Sequence, residues 1–159
     1  MPVYNYYSIK PDGSITEDPT LLRLAGPLLN VEISIPTALA QLYNQIKKPI
    51  PPPITGWALL DTGAYRTCVD NHTIQSLGVS AVGLEPTLTP AGKKDQNTYP
   101  AHFKFPGTNI DLDFGEVIGA DLKGQTFNNQ PIIALVGRDI LSECVFIFNG
   151  KAGMYTLAH

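Results

Sequence analysis

Apolar and polar residues alternate over Leu29-Asn30-Val31-Glu32-Ile33-Ser34-Ile35, a period of two that predicts a half-buried strand. Pro36-Thr37-Ala38 then opens a helix running to about Lys48, with Leu39, Leu42, Tyr43 and Ile46 on one face. Pro49 and Pro51-Pro52-Pro53 end it in a stiff, extended connector. From residue 54 the pattern turns mostly β, with strands predicted near 56–61, 67–70, 84–89, 99–105, 109–118, 132–136, 145–148 and 154–157. Pro90-Ala91-Gly92, Pro106-Gly107, Asn128-Asn129 and Asn149-Gly150 punctuate them. Asn71 to Leu77 reads as a helical turn. Arg138 to Cys144 reads as a short helix that turns Ile140 and Leu141 inward. Many short strands with one late helix predict a mainly β domain, closed or folded over on itself. Residues 1–26, with turn signals at Pro11-Asp12-Gly13 and Asp18-Pro19, read as a polar, loosely structured lead-in to a domain spanning 27–159. Within residues 1–26, Tyr4, Tyr6 and Tyr7 suit a strand or packing role better than an adhesive patch.

Composition narrows the function classes. A chain of 159 residues, 43% of them hydrophobic, is one ordinary globular domain. The formal net charge is −3, and the Lys47-Lys48 and Lys93-Lys94 pairs are isolated, so no basic stripe predicts a nucleic-acid partner. Met1 to Tyr7 lacks the basic and apolar regions of a signal peptide, and no apolar run has the length of a membrane-spanning helix. A soluble, cytoplasmic protein is the expectation. Cys68 and Cys144 are too few for a disulfide framework or a thiolate metal site and read as buried free thiols. His72, His102 and His159 have no ligand spacing, and neither a serine-nucleophile elbow nor a phosphate-cradling glycine loop is present. No metal or cofactor is expected.

The informative anomaly is Trp57-Ala58-Leu59-Leu60-Asp61-Thr62-Gly63-Ala64. An apolar strand ends in a carboxylate, and charged side chains are rarely buried without a partner. Asp-Thr-Gly alone is common turn chemistry. Here a second apolar strand downstream, Ala134-Leu135-Val136, ends in Gly137-Arg138-Asp139-Ile140-Leu141.

The ordered pair of motifs resembles the retropepsin-like aspartic proteases, closest to soluble single-domain bacterial members, over residues 28–157. The resemblance implies a closed β-barrel of the retropepsin-like acid-protease kind, with one short C-terminal helix and, at 37–48, an extra N-terminal one. It implies an aspartic endopeptidase, a peptide hydrolase in which two carboxylates share a proton and activate a water. With one Asp-Thr-Gly in the chain, the second carboxylate must come from a second copy, so the active form is a symmetric homodimer with Asp61 of each subunit at the two-fold axis. Met154 to Ala158, or part of the N-terminal segment, is the expected interface.

By the same resemblance Asp61 is catalytic, and Thr62, Gly63, Ala64, Gly137, Arg138 and Asp139 support its loop. Thr62 reaches toward the opposing copy, and Gly63 lets the backbone turn tightly. A flap is expected at Leu88, Thr89, Pro90, Ala91 and Gly92, with Lys94 to Asn97 in its turn; Tyr65 and Val136 are expected to line subsites for a peptide or protein substrate. Many viral members carry an acid where Tyr65 stands, paired with the arginine of the second motif. Arg138 must therefore find Asp139, Asp70 or backbone carbonyls, and Tyr65 favours apolar substrate side chains. Ala64 has no hydroxyl to donate to the carboxylate, which implies activity reaching toward neutral pH. Asp111 and Asp113 alternate on a strand and should face solvent. Two rival readings are a catalytically silent peptide-binding or assembly module of the same fold, and an unrelated small-ligand β-barrel.

Overall fold

The computed structural model describes residues 1–89 and 92–159. In chain order its elements are Val3–Ile9 (β1), Ile15–Thr16 (β2), Pro19–Ala25 (α1), Leu28–Ser34 (β3), Thr37–Gln45 (α2), Ile54–Leu60 (β4), Cys68–Asp70 (β5) and Asn71–Ser76 (α3). Gly83–Thr89 (β6), Gly92–Lys104 (β7), Asp111–Ala120 (β8), Thr126–Phe127 (β9), Gln130–Val136 (β10), Arg138–Leu141 (α4), Val145–Asn149 (β11) and Met154–Ala158 (β12) follow. The protein is mainly β, with the short late helix and the additional earlier one in their expected places.

The larger sheet runs β3-β4-β10-β5-β8-β7-β6, with β9 attached to β10. β3 also pairs with β7, so the path from β3 through β7 returns on itself. Alternation explains what fills the interior. Leu29, Val31 and Ile33 of β3 and Tyr99, Ala101 and Phe103 of β7 point inward, and Leu60, Val69, Val117 and Val136 meet them. β4 and β10 run parallel, Leu60 level with Val136. Gly56 allows this approach: a Cβ there would lie 2.8 Å from the Pro131 carbonyl oxygen.

The smaller sheet is ordered β11-β12-β1-β2. Residues 1–26 are therefore not a loose lead-in. Tyr4, Tyr6 and Tyr7 belong to β1, which pairs antiparallel with β12, and Tyr6 stacks on Tyr155 with ring centroids 5.1 Å apart. Aromatic residues favour a pleated, half-buried surface, and β12 supplies one from the far end of the chain. Asp18 caps α1 by accepting from the Thr20 amide at 2.8 Å.

Other boundaries shift for identifiable reasons. α2 stops at Gln45 because Lys47 adopts a left-handed backbone (φ 56°), and the Lys48 amide then donates to the Tyr43 carbonyl oxygen. Leu39 and Tyr43 pack against the core, whereas Leu42 and Ile46, expected on the same face, are exposed. α4 ends at Leu141, and the chain continues to Cys144 in tighter turns. Lys94 to Asn97 lie in β7, paired with Thr87 back to Leu84 of β6, rather than in a turn. Asp111 and Asp113 keep exposed edges but flank His102, at 3.0 and 3.1 Å from its two ring nitrogens, and Asp113 also accepts the Thr37 amide at the start of α2.

Phe103 is fully buried, with its ring edge-to-face on Phe114 at 5.3 Å. Phe103→Ala should lower unfolding stability by about 3–5 kcal/mol, read as a reduced urea midpoint at unchanged slope.

Candidate active site

Because β4 and β10 are parallel and end level with each other, the chain leaves both strands at one place. Asp61 follows Leu60 and donates its backbone N–H to the Val136 carbonyl oxygen at 2.9 Å. Its Oδ1 accepts the backbone N–H of Gly63 at 2.8 Å and of Ala64 at 3.3 Å. Two backbone amides thus fix the position of this carboxylate. Gly63 lies outside the left-handed region, so what it provides is space: a Cβ there would be 3.0 Å from Asp61 Oδ1.

The second motif braces this loop. Arg138 donates its backbone N–H to the Ala64 carbonyl oxygen at 3.0 Å, and its Nη1 donates to the Thr62 carbonyl oxygen at 3.1 Å. Of the partners considered for Arg138, a backbone carbonyl is the one found. Asp139 instead accepts the Thr67 backbone N–H (2.8 Å to Oδ2) and the Thr67 hydroxyl (2.7 Å to Oδ1). Thr67 Oγ1 in turn accepts the Gly137 N–H at 3.1 Å. Asp70 is buried and committed elsewhere: it caps α3 through Thr73 and accepts the Leu122 amide at 3.1 Å. Gly137 has no room for a side chain, since a Cβ would stand 2.4 Å from the Arg66 carbonyl carbon.

Asp61, Thr62, Gly63, Ala64, Gly137, Arg138 and Asp139 are therefore brought together in one bonded cluster. Thr62 is exposed and holds the cluster through its carbonyl group. Tyr65 borders the cluster and is 55% exposed, its hydroxyl donating to Glu85 of β6. That bond raises the phenol's pKa above its usual value. Val136 does not line a pocket. It is 1% exposed, turned into the core by the alternation of β10, and only its carbonyl reaches the site. In the hairpin, Leu88 is 83% exposed and Thr89 stands opposite Gly92; Pro90 and Ala91 lie outside the described residues.

Sequence reading missed Thr67, Arg66 and Glu85. Arg66 and Thr67 lie at the entry to the strand predicted near 67–70, which gave no sign of their side-chain partners, and Glu85 meets Arg66 only through the fold. A groove of about 550 Å³ among the described residues holds none of the predicted site residues. It is lined by Ile54, Asp70, His72, Leu122 and Ile132 among others. Among the described residues no group of three or more His, Cys, Asp or Glu is arranged to hold a metal ion, and no helix is long and apolar enough to cross a membrane.

No family model matches the chain, and no curated protein matches it. Solved structures similar to it include a retropepsin-like aspartic protease from Rickettsia conorii, at 14% identity and TM-score 0.46, covering 98% of this chain and 91% of that one. Another is the retroviral protease-like domain of Ddi1 from Leishmania major, at 16% identity and TM-score 0.38, covering 78% of this chain and 82% of that one.

Cys68 lies directly after Thr67, and both cysteines are free and half-buried. Burial, reinforced by the nearby Asp139 and Asp61 carboxylates, pushes the Cys68 thiol up to about 11. The thiolate is the disfavoured form, so its fraction at pH 8 falls about 100-fold below that of an ordinary thiol. Iodoacetamide should modify Cys68 about 100-fold more slowly in the folded protein than in urea at pH 8, accelerating as pH climbs toward 11, as read by peptide mass spectrometry.

Proposed function

We propose that this chain is an aspartic endopeptidase, a retropepsin-like closed β-barrel that works as a symmetric homodimer. The observation that carries the reading is the Asp61 loop itself. A carboxylate at the end of an apolar strand is gripped by two backbone amides and braced from behind by Gly137, Arg138 and Asp139. The returning strand path through β3 and β7 supports the barrel, with residues 27–159 as its domain and residues 1–26 packed on it as β1, β2 and α1.

The chemistry follows from pairing two such carboxylates. Like charges a few ångströms apart cannot both ionise cheaply, so the pair keeps one proton and holds a water between its oxygens. The ionised Asp61 takes a proton from that water as its oxygen attacks the scissile carbonyl carbon. The protonated Asp61 of the other copy gives its proton to the carbonyl oxygen. The tetrahedral intermediate then collapses, the C–N bond breaks, and the amine leaves with a proton returned from the dyad. No metal or cofactor takes part. Thr62, exposed on the loop, faces its counterpart across the axis.

A second copy needs a seam, and β11 supplies the better one. β12 lies inside the smaller sheet with β11 and β1 on its two edges, so it has no edge left to offer. β11 is an outer strand among the described residues, reading Val-Phe-Ile-Phe-Asn without charge or proline. Val145 and Ile147 on it are 48% and 54% exposed. An open apolar edge invites pairing, and pairing with itself across a two-fold axis is antiparallel by symmetry. β11 also leaves α4 directly, which ties the seam to the brace behind Asp61. The substrate is an extended peptide or protein segment; the exposed Tyr65 favours apolar side chains in it. The unpaired cysteines suit a reducing compartment such as the cytoplasm.

Cleavage of a denatured-protein or peptide library tests this reading. Asp61→Asn should cut kcat/KM by roughly 10³-fold or more while leaving the dimer intact. Ile147→Lys should shift sedimentation to monomer and abolish cleavage with it. Equal cleavage by wild type and Asp61→Asn, or a wild type that stays monomeric at high concentration, would overturn the proposal.

A further inference from the structure

We propose that Glu85 is a positioning residue: its carboxylate ties the β6–β7 hairpin to the loop that carries Asp61 and so fixes where the hairpin can move. The inference builds on the protease reading, because it assigns the hairpin as cover for the Asp61 site, but its bonds are independent of that reading. Glu85 lies midway along β6, opposite Gln96 of β7. One of its oxygens accepts the Tyr65 hydroxyl, and the other accepts Nη1 of Arg66. The second guanidinium nitrogen of Arg66 donates to the Glu116 carbonyl oxygen of β8 at 2.8 Å.

Three features make this more than a surface ion pair. The Glu85 and Arg66 side chains are only 16% and 24% exposed, so screening is reduced, and removing one partner leaves the other partly buried and uncompensated. Arg66 also has two attachments. Its carbonyl group packs against Gly137, at the brace behind Asp61, while its side chain holds the hairpin. Finally, β6 is the last strand of its sheet, and alternation gives its two faces different tasks. Glu85 faces the Asp61 loop, while Leu84 and Leu88 on the other face are exposed. Beyond Glu85, the side-chain bonds of Thr87 stay within the hairpin: its hydroxyl donates to the Lys94 carbonyl oxygen and accepts from Gln96 Nε2.

Glu85 therefore acts as a fulcrum. The base of the hairpin is clamped to the Asp61 loop and to β8 through Arg66, so movement that admits a peptide falls to the described residues beyond the Glu85–Gln96 pair, 86–89 and 92–95. The tether makes the cover's closed position a property of the catalytic loop, so loosening it should weaken substrate capture more than the chemical step.

Hydrogen exchange on the full-length protein tests the tether without relying on activity. In Glu85→Ala the amides of 84, 85, 87–89 and 92–97 should exchange roughly 10- to 100-fold faster than in wild type, with amides of β3, β4 and β10 unchanged. Glu85→Gln, which keeps the shape and loses the charge, should fall between them, and it carries the test if the alanine variant fails to fold. On a peptide that wild type cleaves, Glu85→Ala should raise KM roughly 10-fold while kcat moves less than threefold. Unchanged hairpin exchange in both variants, or a fall in kcat at unchanged KM, would overturn the tether. A wild type that cleaves nothing while the variants still loosen the hairpin upholds the tether and removes only the protease reading.

Discussion

The parallel pairing of β4 with β10 is the constraint on which the rest depends. It sets Leu60 level with Val136, so two segments far apart in sequence leave the sheet at the same point. Everything at the candidate site is a consequence of that coincidence. Asp61 donates to Val136, Ala64 accepts from Arg138, and Thr67 bridges Gly137 and Asp139. A parallel pair requires a crossover between its strands. Here the chain between them supplies β5 to β9, including the hairpin that carries Glu85.

Close approach, rather than unusual backbone angles, explains the glycines of both motifs. Neither Gly63 nor Gly137 has a positive φ. Gly63 leaves room for Asp61 Oδ1, and Gly137 leaves room for the Arg66 backbone. The two contacts compress the loop from opposite sides, and the Arg138 and Asp139 side chains lock it by bonding to backbone groups. Under the proposed function, a carboxylate held this way loses little rotamer freedom on reaction, the physical meaning of preorganisation.

What could be read in advance follows the reach of each signal. Period-two alternation located β3, and apolar runs located β4 and β10, because their inward faces are set by local sequence. The two motifs could be read because each lies at a strand end. β1 gave only an ambiguous signal, since Tyr4, Tyr6 and Tyr7 become a strand by meeting β12 at the opposite end of the chain. Lys94 to Asn97 looked like a turn because they are polar, yet an exposed hairpin strand needs no apolar face once a partner strand satisfies its backbone. Val136 shows the converse. Proximity to the motif drew it into the site, and the inward face of β10 took its side chain away. Glu85 carried no local signal at all: its role exists only after the hairpin folds back toward Arg66.

Two of the outer strands, β6 and β11, show how one chain treats two edges differently. β6 carries Pro86, which has no N–H to offer, and its partner strand carries Lys93 and Lys94. Both features discourage another strand from docking there. β11 has neither proline nor charge, and leaves Val145 and Ile147 open. Blunting β6 while leaving β11 unprotected is coherent under the proposed function. A cover must remain free to move, so its edge has to resist permanent pairing. A seam that completes a two-carboxylate site has to attract its own copy, so its edge must stay receptive. Under that function the same sheet physics, applied with opposite sign at the two edges, separates the part proposed to move from the part proposed to assemble.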